Sequence, residues 1–223
     1  ALFYDDSESK IIDLVGGVED LENRLIKMVG IPNERITEDP LRIQRALRFN
    51  SKYNGTIHID TSKAIHKLKH LINEPTVERP NGISQERIKD EFIKSFKQSK
   101  DFNVYLDTLN EFDLWDNLFK GIKVTKKPII NSNQIEIVMV QLLKDDENFI
   151  NNKSIGVYNW GFDTKMVNRV NFLVRLLKLD NNNIISLEKD RGRFHITKDL
   201  LLEFNGIFNS DLINKFIDFD SSI

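Results

Sequence analysis

The chain has 223 residues, 40% of them apolar and 30% charged, no cysteine, and a formal net charge of −2. That suffices for the core of one long domain or two smaller ones, and it excludes a disulfide framework and a thiolate zinc site. It also excludes a general attraction to nucleic acid, so phosphate binding must come from local clusters of lysine and arginine. No apolar run approaches the roughly 20 residues of a membrane span, and the start, ALFYDDSESK, lacks a signal-peptide pattern. The expectation is a cytoplasmic protein without membrane contact.

Residues 2–5 and 10–13 are short apolar-rich runs separated by DSES, the pattern of a two-stranded hairpin. Two strands are marginal alone, so the hairpin's edges are expected to pair with strands from elsewhere; a hairpin lying on the helices is the alternative. After Gly16 and Gly17 the spacing turns helical, with Leu21, Leu25, Ile26 and Val29 on one face. Further apolar faces follow at 41–49, 64–72, 83–96 and 102–119, then at 135–143, 165–177, 197–204 and 210–217. Turn residues at 73–81, 120–128 and 179–183 separate them. The expected class is mainly α.

Within ITEDPLRIQRALRF, residues 36–49, Asp39 precedes Pro40, which suits a first helical turn with Thr37 or Glu38 as the cap. Steps of three then place Asp39, Arg42, Arg45 and Arg48 in a slanting stripe along one helix. Such a stripe is either a solvated face or a reader of something anionic.

Residues 16–49, GGVEDLENRLIKMVGIPNERITEDPLRIQRALRF, resemble class II nucleotidyltransferases, the bacterial-type CCA-adding enzymes and poly(A) polymerases, from their glycine–glycine hinge (Gly16, Gly17) to their nucleotide-reading EDxxR motif. ISQERIKDEFIK, residues 83–94, is similar to the family's helix-stabilising motif, and ALFYD to the end of the motif that links the catalytic head to the neck. The resemblance is specific over residues 1–97. It returns at FHITKDLLLEFNG, residues 194–206, which is similar to a GKDL segment of the family's tail with Thr197 in place of the glycine.

The resemblance implies an elongated helical neck, body and tail with a hairpin left from the head sheet. The segments would be 1–17 (end of the head sheet and hinge), 18–100 (neck), 101–180 (body) and 181–223 (tail). It implies addition of C, C and A to the tRNA 3′ end, with poly(A) synthesis and a noncatalytic RNA- or protein-binding helical module as rivals.

An aspartate and an arginine one helical turn apart can face the Watson–Crick edge of one base. Cytosine and adenine each offer an amino donor beside ring acceptors, whereas guanine and uracil present a carbonyl that a carboxylate repels. Asp39 and Arg42 would thus select CTP and ATP. By resemblance Arg45 and Arg48 would meet the triphosphate, and Glu38 would hold Arg42 in plane. The two-metal chemistry, with Mg²⁺, belongs to a head that would precede Ala1, in a missing segment or a separate chain.

No substitute metal pair is evident. Asp5 and Asp6 read as turn residues, while Asp145 to Glu147, Asp218 and Asp220 read as solvated acids. His66 and His70 have zinc spacing but no third ligand, and His58 and His195 stand singly. Trp115 and Trp160 read as core or as stacking platforms. Lys120, Lys123, Lys126 and Lys127, or Lys165, Arg169, Arg175 and Lys178, either face water or grip the acceptor and TΨC arm of a tRNA.

Overall fold

At the front of the chain, Leu2–Asp5 (β1) and Lys10–Asp13 (β2) form an antiparallel hairpin, Leu2 opposite Asp13 and Asp5 opposite Lys10. The computed structural model describes residues 2–77, 80–119, 123–124, 129–146, 149, 160–178 and 184–219. The Asp5 carboxylate closes the turn by accepting from the Ser7 amide and hydroxyl and the Glu8 amide, the turn role read from its sequence. Among the described residues no third strand joins the hairpin, and Phe3, Tyr4 and Ile11 are 55%, 63% and 58% exposed.

The diglycine junction is clamped from the hairpin. Asp13 accepts from the amides of Val15, Gly17 and Val18 at 3.1, 2.9 and 2.9 Å, and Gly16 takes the left-handed φ of 72° that opens the next helix. These amides, Val18 first, lower the Asp13 pKa from 3.8 to about 2. With the folded value below the unfolded one, the clamp's contribution is present above about pH 4 and is lost as pH falls toward 2. Asp13→Ala is expected to speed hydrogen exchange at Val15, Gly17 and Val18 while leaving amides of the later helices unchanged; equal exchange at the three would contradict the clamp.

The helix after Gly17 is shorter than its spacing predicts. It ends at Glu22 (Gly17–Glu22, α1) with no buried residue, and Leu25–Ile26 (β3) instead pairs in parallel with Thr56–Ile57 (β4). Leu25 and Ile26 are therefore strand residues. Gly55 permits the approach, because a Cβ there would stand 2.3 Å from the Arg24 carbonyl oxygen that accepts from Thr56.

Pro32–Glu38 (α2) and Leu41–Tyr53 (α3) are separate helices, which corrects the helix expected to start from a Thr37 or Glu38 cap with Asp39 in its first turn. Asp39 sits between them with φ −146° and ψ 98°, since the residue before a proline is driven out of the α region. Thr37 accordingly lies inside α2, its hydroxyl donating to the Asn33 carbonyl, and is not a cap. Ile59–Leu68 (α4) runs into a 3₁₀ turn, Lys69–Ile72, and Gln85–Gln98 (α5), Phe102–Glu111 (α6) and Trp115–Leu118 (α7) complete the first of two compact units, residues 1–120. Ser84 caps α5 and Asp101 caps α6 through their side chains. Phe92 of α5 makes edge contacts with Phe102, Tyr105 and Phe119, all buried beside Ile43, Leu47 and Ile88. Burying one such ring contributes about 1.5–3 kcal/mol.

The second unit, residues 121–223, contains Ile135–Leu143 (α8), Thr164–Leu177 (α9), Ile184–Arg193 (α10), Lys198–Phe208 (α11) and Asp211–Phe219 (α12). Every residue of α8 from Glu136 to Leu143 is buried, so it is the central helix of this unit, facing α9. Asp163 and Thr197 cap α9 and α11. Asp146, read as a solvated acid, is buried and accepts from the amides of Lys123 and Phe149 at 2.7 Å each. Its neighbour Glu147 lies outside the described residues, as do Lys120, Lys126, Lys127 and Asp220. Among the described residues no helix is long and apolar enough to cross a membrane.

Candidate functional site

Strand β3 and helix α3 enclose a cleft of about 410 Å³ lined by Ile26, Lys27, Met28, Val29, Arg35, Arg42, Arg45, Ala46 and Phe49. Its lining combines five apolar residues with four cations and contains no carboxylate. Its size falls within the range of small-ligand sites, and its chemistry suits an anion attached to a flat apolar ring.

The arginines are held unequally. Glu38, at the end of α2, accepts from Arg35 at 2.7 Å and from Arg42 at 2.6 Å, while Arg42 also donates to the Arg35 carbonyl at 2.7 Å. The Arg42 guanidinium is thus fixed in direction by two acceptors. Its hydrogen bond, helped by the Arg35 charge, keeps the Glu38 carboxyl below its ordinary pKa. Arg45 is exposed on the cleft and has no ion pair within the described residues.

Arg48 is the correction to the stripe. It is 8% exposed, and its Nε donates to Glu91 of α5 at 2.9 Å and its Nη1 to Gln98 at 3.0 Å. At about 100° per residue Arg48 has turned roughly 120° from Arg42. That brings it beside Leu41 and Gln44, both buried. The guanidinium fastens α3 to α5 and does not line the cleft.

Asp39 neighbours Glu38 but is not part of the cleft lining. Its Oδ1 accepts from the Leu41 amide at 3.2 Å, and its Oδ2 from Arg87 of α5 at 3.0 Å. Two acceptor positions are filled of the roughly four that a carboxylate offers. Gly16 and Gly17 lie at the hairpin junction and do not line this cleft.

Arg35, Lys27, Phe49 and Arg87 escaped the sequence reading. Arg35 had a usable signal in its spacing, three residues before Glu38 and seven before Arg42. Arg87 and Glu91 stand four apart in ISQERIKDEFIK, on one face of α5, and the structure turns that face toward Asp39 and Arg48. Nothing local marks Lys27, whose place depends on β3.

Several of the remaining candidates have structural partners. His66 packs on Phe112 with centroids 4.8 Å apart, and His70 Nε2 lies 3.5 Å from Glu74. Arg169 pairs with buried Glu136, and Arg175 with Asp190 and Ser186. Trp115 and Trp160 are buried. No group of three or more His, Cys, Asp or Glu that can hold a metal ion stands together among the described residues.

A family model described as "Probable RNA and SrmB-binding site of polymerase A" matches residues 55–125. Poly(A) polymerase I of Salmonella typhi is 32% identical over 154 residues, covering 69% of this chain and 31% of that protein. The CCA-adding enzyme of Ligilactobacillus salivarius is 42% identical over 103 residues, covering 46% of this chain and 24% of that protein. The chain therefore spans less than a third of either relative. Among solved structures, the Bacillus stearothermophilus CCA-adding enzyme in complex with CTP superimposes with a TM-score of 0.69 at 20% identity, covering 99% of this chain and 56% of that one. A tRNA nucleotidyltransferase complexed with a primer tRNA and an incoming ATP analog gives 0.61 at 17% identity, over 96% and 66%. These likenesses show that the mainly helical fold is shared.

Proposed function

The chain belongs to the family of CCA-adding enzymes and bacterial-type poly(A) polymerases, and from that premise we propose that it is the nucleotide-selecting and RNA-binding portion of a tRNA nucleotidyltransferase. The activity would be addition of C, C and A to the tRNA 3′ end from CTP and ATP. The observation that carries the proposal is the cationic cleft in which Glu38 fixes Arg42 beside Arg35 and Arg45.

In this reading Arg42 presents its donors to the ring acceptors of cytosine or adenine. Asp39, steadied by Arg87, uses its remaining acceptor capacity for the amino group. Arg45 and Lys27 face the triphosphate. The bond-making chemistry, and the Mg²⁺ it uses, is assigned to a head domain outside these residues. That head would also cover the exposed Phe3, Tyr4 and Ile11 of the hairpin. The RNA held by residues beyond the cleft would be the acceptor and TΨC arm of the tRNA.

Calorimetric titration of CTP, ATP, GTP and UTP into the chain tests the site. CTP and ATP are expected to bind more tightly than GTP and UTP. Arg45→Ala is expected to weaken CTP and ATP alike, roughly tenfold, because a phosphate contact carries no base information. A change in base preference with affinity intact would assign Arg45 to the base.

The Salmonella poly(A) polymerase, 32% identical over 69% of this chain, supplies poly(A) synthesis as a second reading. A tRNA transcript lacking CCA, given to the chain joined to a nucleotidyltransferase head, separates the two. Incorporation of CTP before ATP supports the first, and long tails from ATP alone support the second.

A further inference from the structure

The last turn of α3 borders a second cleft, of about 730 Å³, whose lining includes Arg24, Lys52, Tyr53, Lys100 and Asp101. Arg24, Lys52 and Lys100 have no ion pair within the described residues, although ion pairs are common elsewhere in this unit, as at Arg48, Lys69 and Arg87. The one carboxylate in the lining, Asp101, is engaged with the Asn103 amide as the cap of α6. In the same lining Tyr53 is 43% exposed, with Lys52 Nζ 5.1 Å from its ring centroid. Three cations in one cleft with an exposed aromatic residue form a site for an anion that also carries flat rings.

We propose that this cleft binds single-stranded RNA, its phosphates held by Arg24, Lys52 and Lys100 and one base stacked on Tyr53. The proposal rests on the RNA-binding reading above. Two placements favour a strand over an isolated anion. Tyr53 stacks on Phe49 at 6.2 Å between centroids and 18° between planes, and Phe49 lines the nucleotide cleft, so a row of rings joins the two sites along α3. Arg45 and Lys52 are seven residues apart, about 10.5 Å of helix, roughly the rise of three stacked nucleotides. A short strand leaving the nucleotide cleft reaches the second one along the same helix face.

The test is fluorescence anisotropy of the chain with a labelled single-stranded oligoribonucleotide of about twelve nucleotides, between about 50 and 200 mM salt. Lys52→Ala/Lys100→Ala is expected to lower the slope of log K against log salt by about 1.4, two phosphate contacts at about 0.7 each. Lys52→Arg/Lys100→Arg should retain it. Tyr53→Ala should weaken binding roughly tenfold with the slope unchanged. CTP and ATP titrations of the double alanine variant should match the parent, since neither lysine lines the first cleft. If the parent binds RNA and the double alanine variant binds it equally at every salt concentration, this cleft is not the site, though the RNA-binding reading stands. If the parent chain binds no RNA, both are overturned.

Discussion

Replacing Arg48 with alanine is expected to destabilise the first unit by about 3 kcal/mol, the lower end of the cost of breaking a buried ion pair. The Arg48 and Glu91 side chains are 9% and 7% exposed, so removal of the guanidinium leaves a carboxylate largely out of water. Lys94, 3.2 Å from the other Glu91 oxygen, partly offsets the loss, which argues for the lower end of the range. The guanidinium also lies 4.3 Å from the Phe49 ring centroid, a contact that alanine removes. Urea unfolding followed by circular dichroism measures the effect. Arg48→Met/Glu91→Leu is expected to recover most of the loss, because well-packed apolar side chains replace such pairs at little cost. An unchanged midpoint with weakened CTP and ATP binding would return Arg48 to the triphosphate.

Arg42→Ala is expected to weaken CTP and ATP together by about 1.5–3 kcal/mol, or roughly 10- to 150-fold. The size follows from a charge-assisted hydrogen bond whose donor is already held by Glu38 and the Arg35 carbonyl, so little side-chain ordering remains to be done on binding. Glu38→Gln should produce a smaller loss in the same direction. If Arg42 were only part of a solvated face, its removal would shift stability by less than about 0.5 kcal/mol and leave nucleotide affinity alone.

The fold was legible where an apolar run bounded by turn residues carries the signal. Residues 135–143 and 165–177 were read within one residue of α8 and α9, and the hairpin within its ends, because apolar spacing and turn residues there are local properties. Strands β3 and β4 were not legible, since each has two residues and its partner lies about thirty residues away. The spacing predicts no helix at α10, whose sequence, IISLEKDRGR, is largely polar and contains Gly192.

At the site, Glu38, Arg42 and Arg45 are named by the family resemblance, and the structure places Arg42 and Arg45 in the cleft lining with Glu38 holding Arg42. Two features needed tertiary structure. A three-residue step drifts around the helix, and only the packing of α5 against α3 shows that Arg48 has drifted into the core. Pro40 was read as a helix start, which is right for α3, but its effect on Asp39 separates that carboxylate from the helix that carries Arg42. The partner that then holds Asp39, Arg87, lies 48 residues later in the chain.

The most direct test of base selection at Asp39 and Arg42 is the relative affinity of all four nucleoside triphosphates for the Asp39→Ala chain and its parent. The carboxylate accepts from an amino group and repels a carbonyl, so the parent is expected to prefer CTP and ATP over UTP and GTP by at least about tenfold. Asp39→Ala should bring the four affinities together, chiefly by admitting UTP and GTP. A variant that folds and keeps the parent's preference would show that Asp39 serves only Arg87 and the start of α3, and that bases are selected elsewhere.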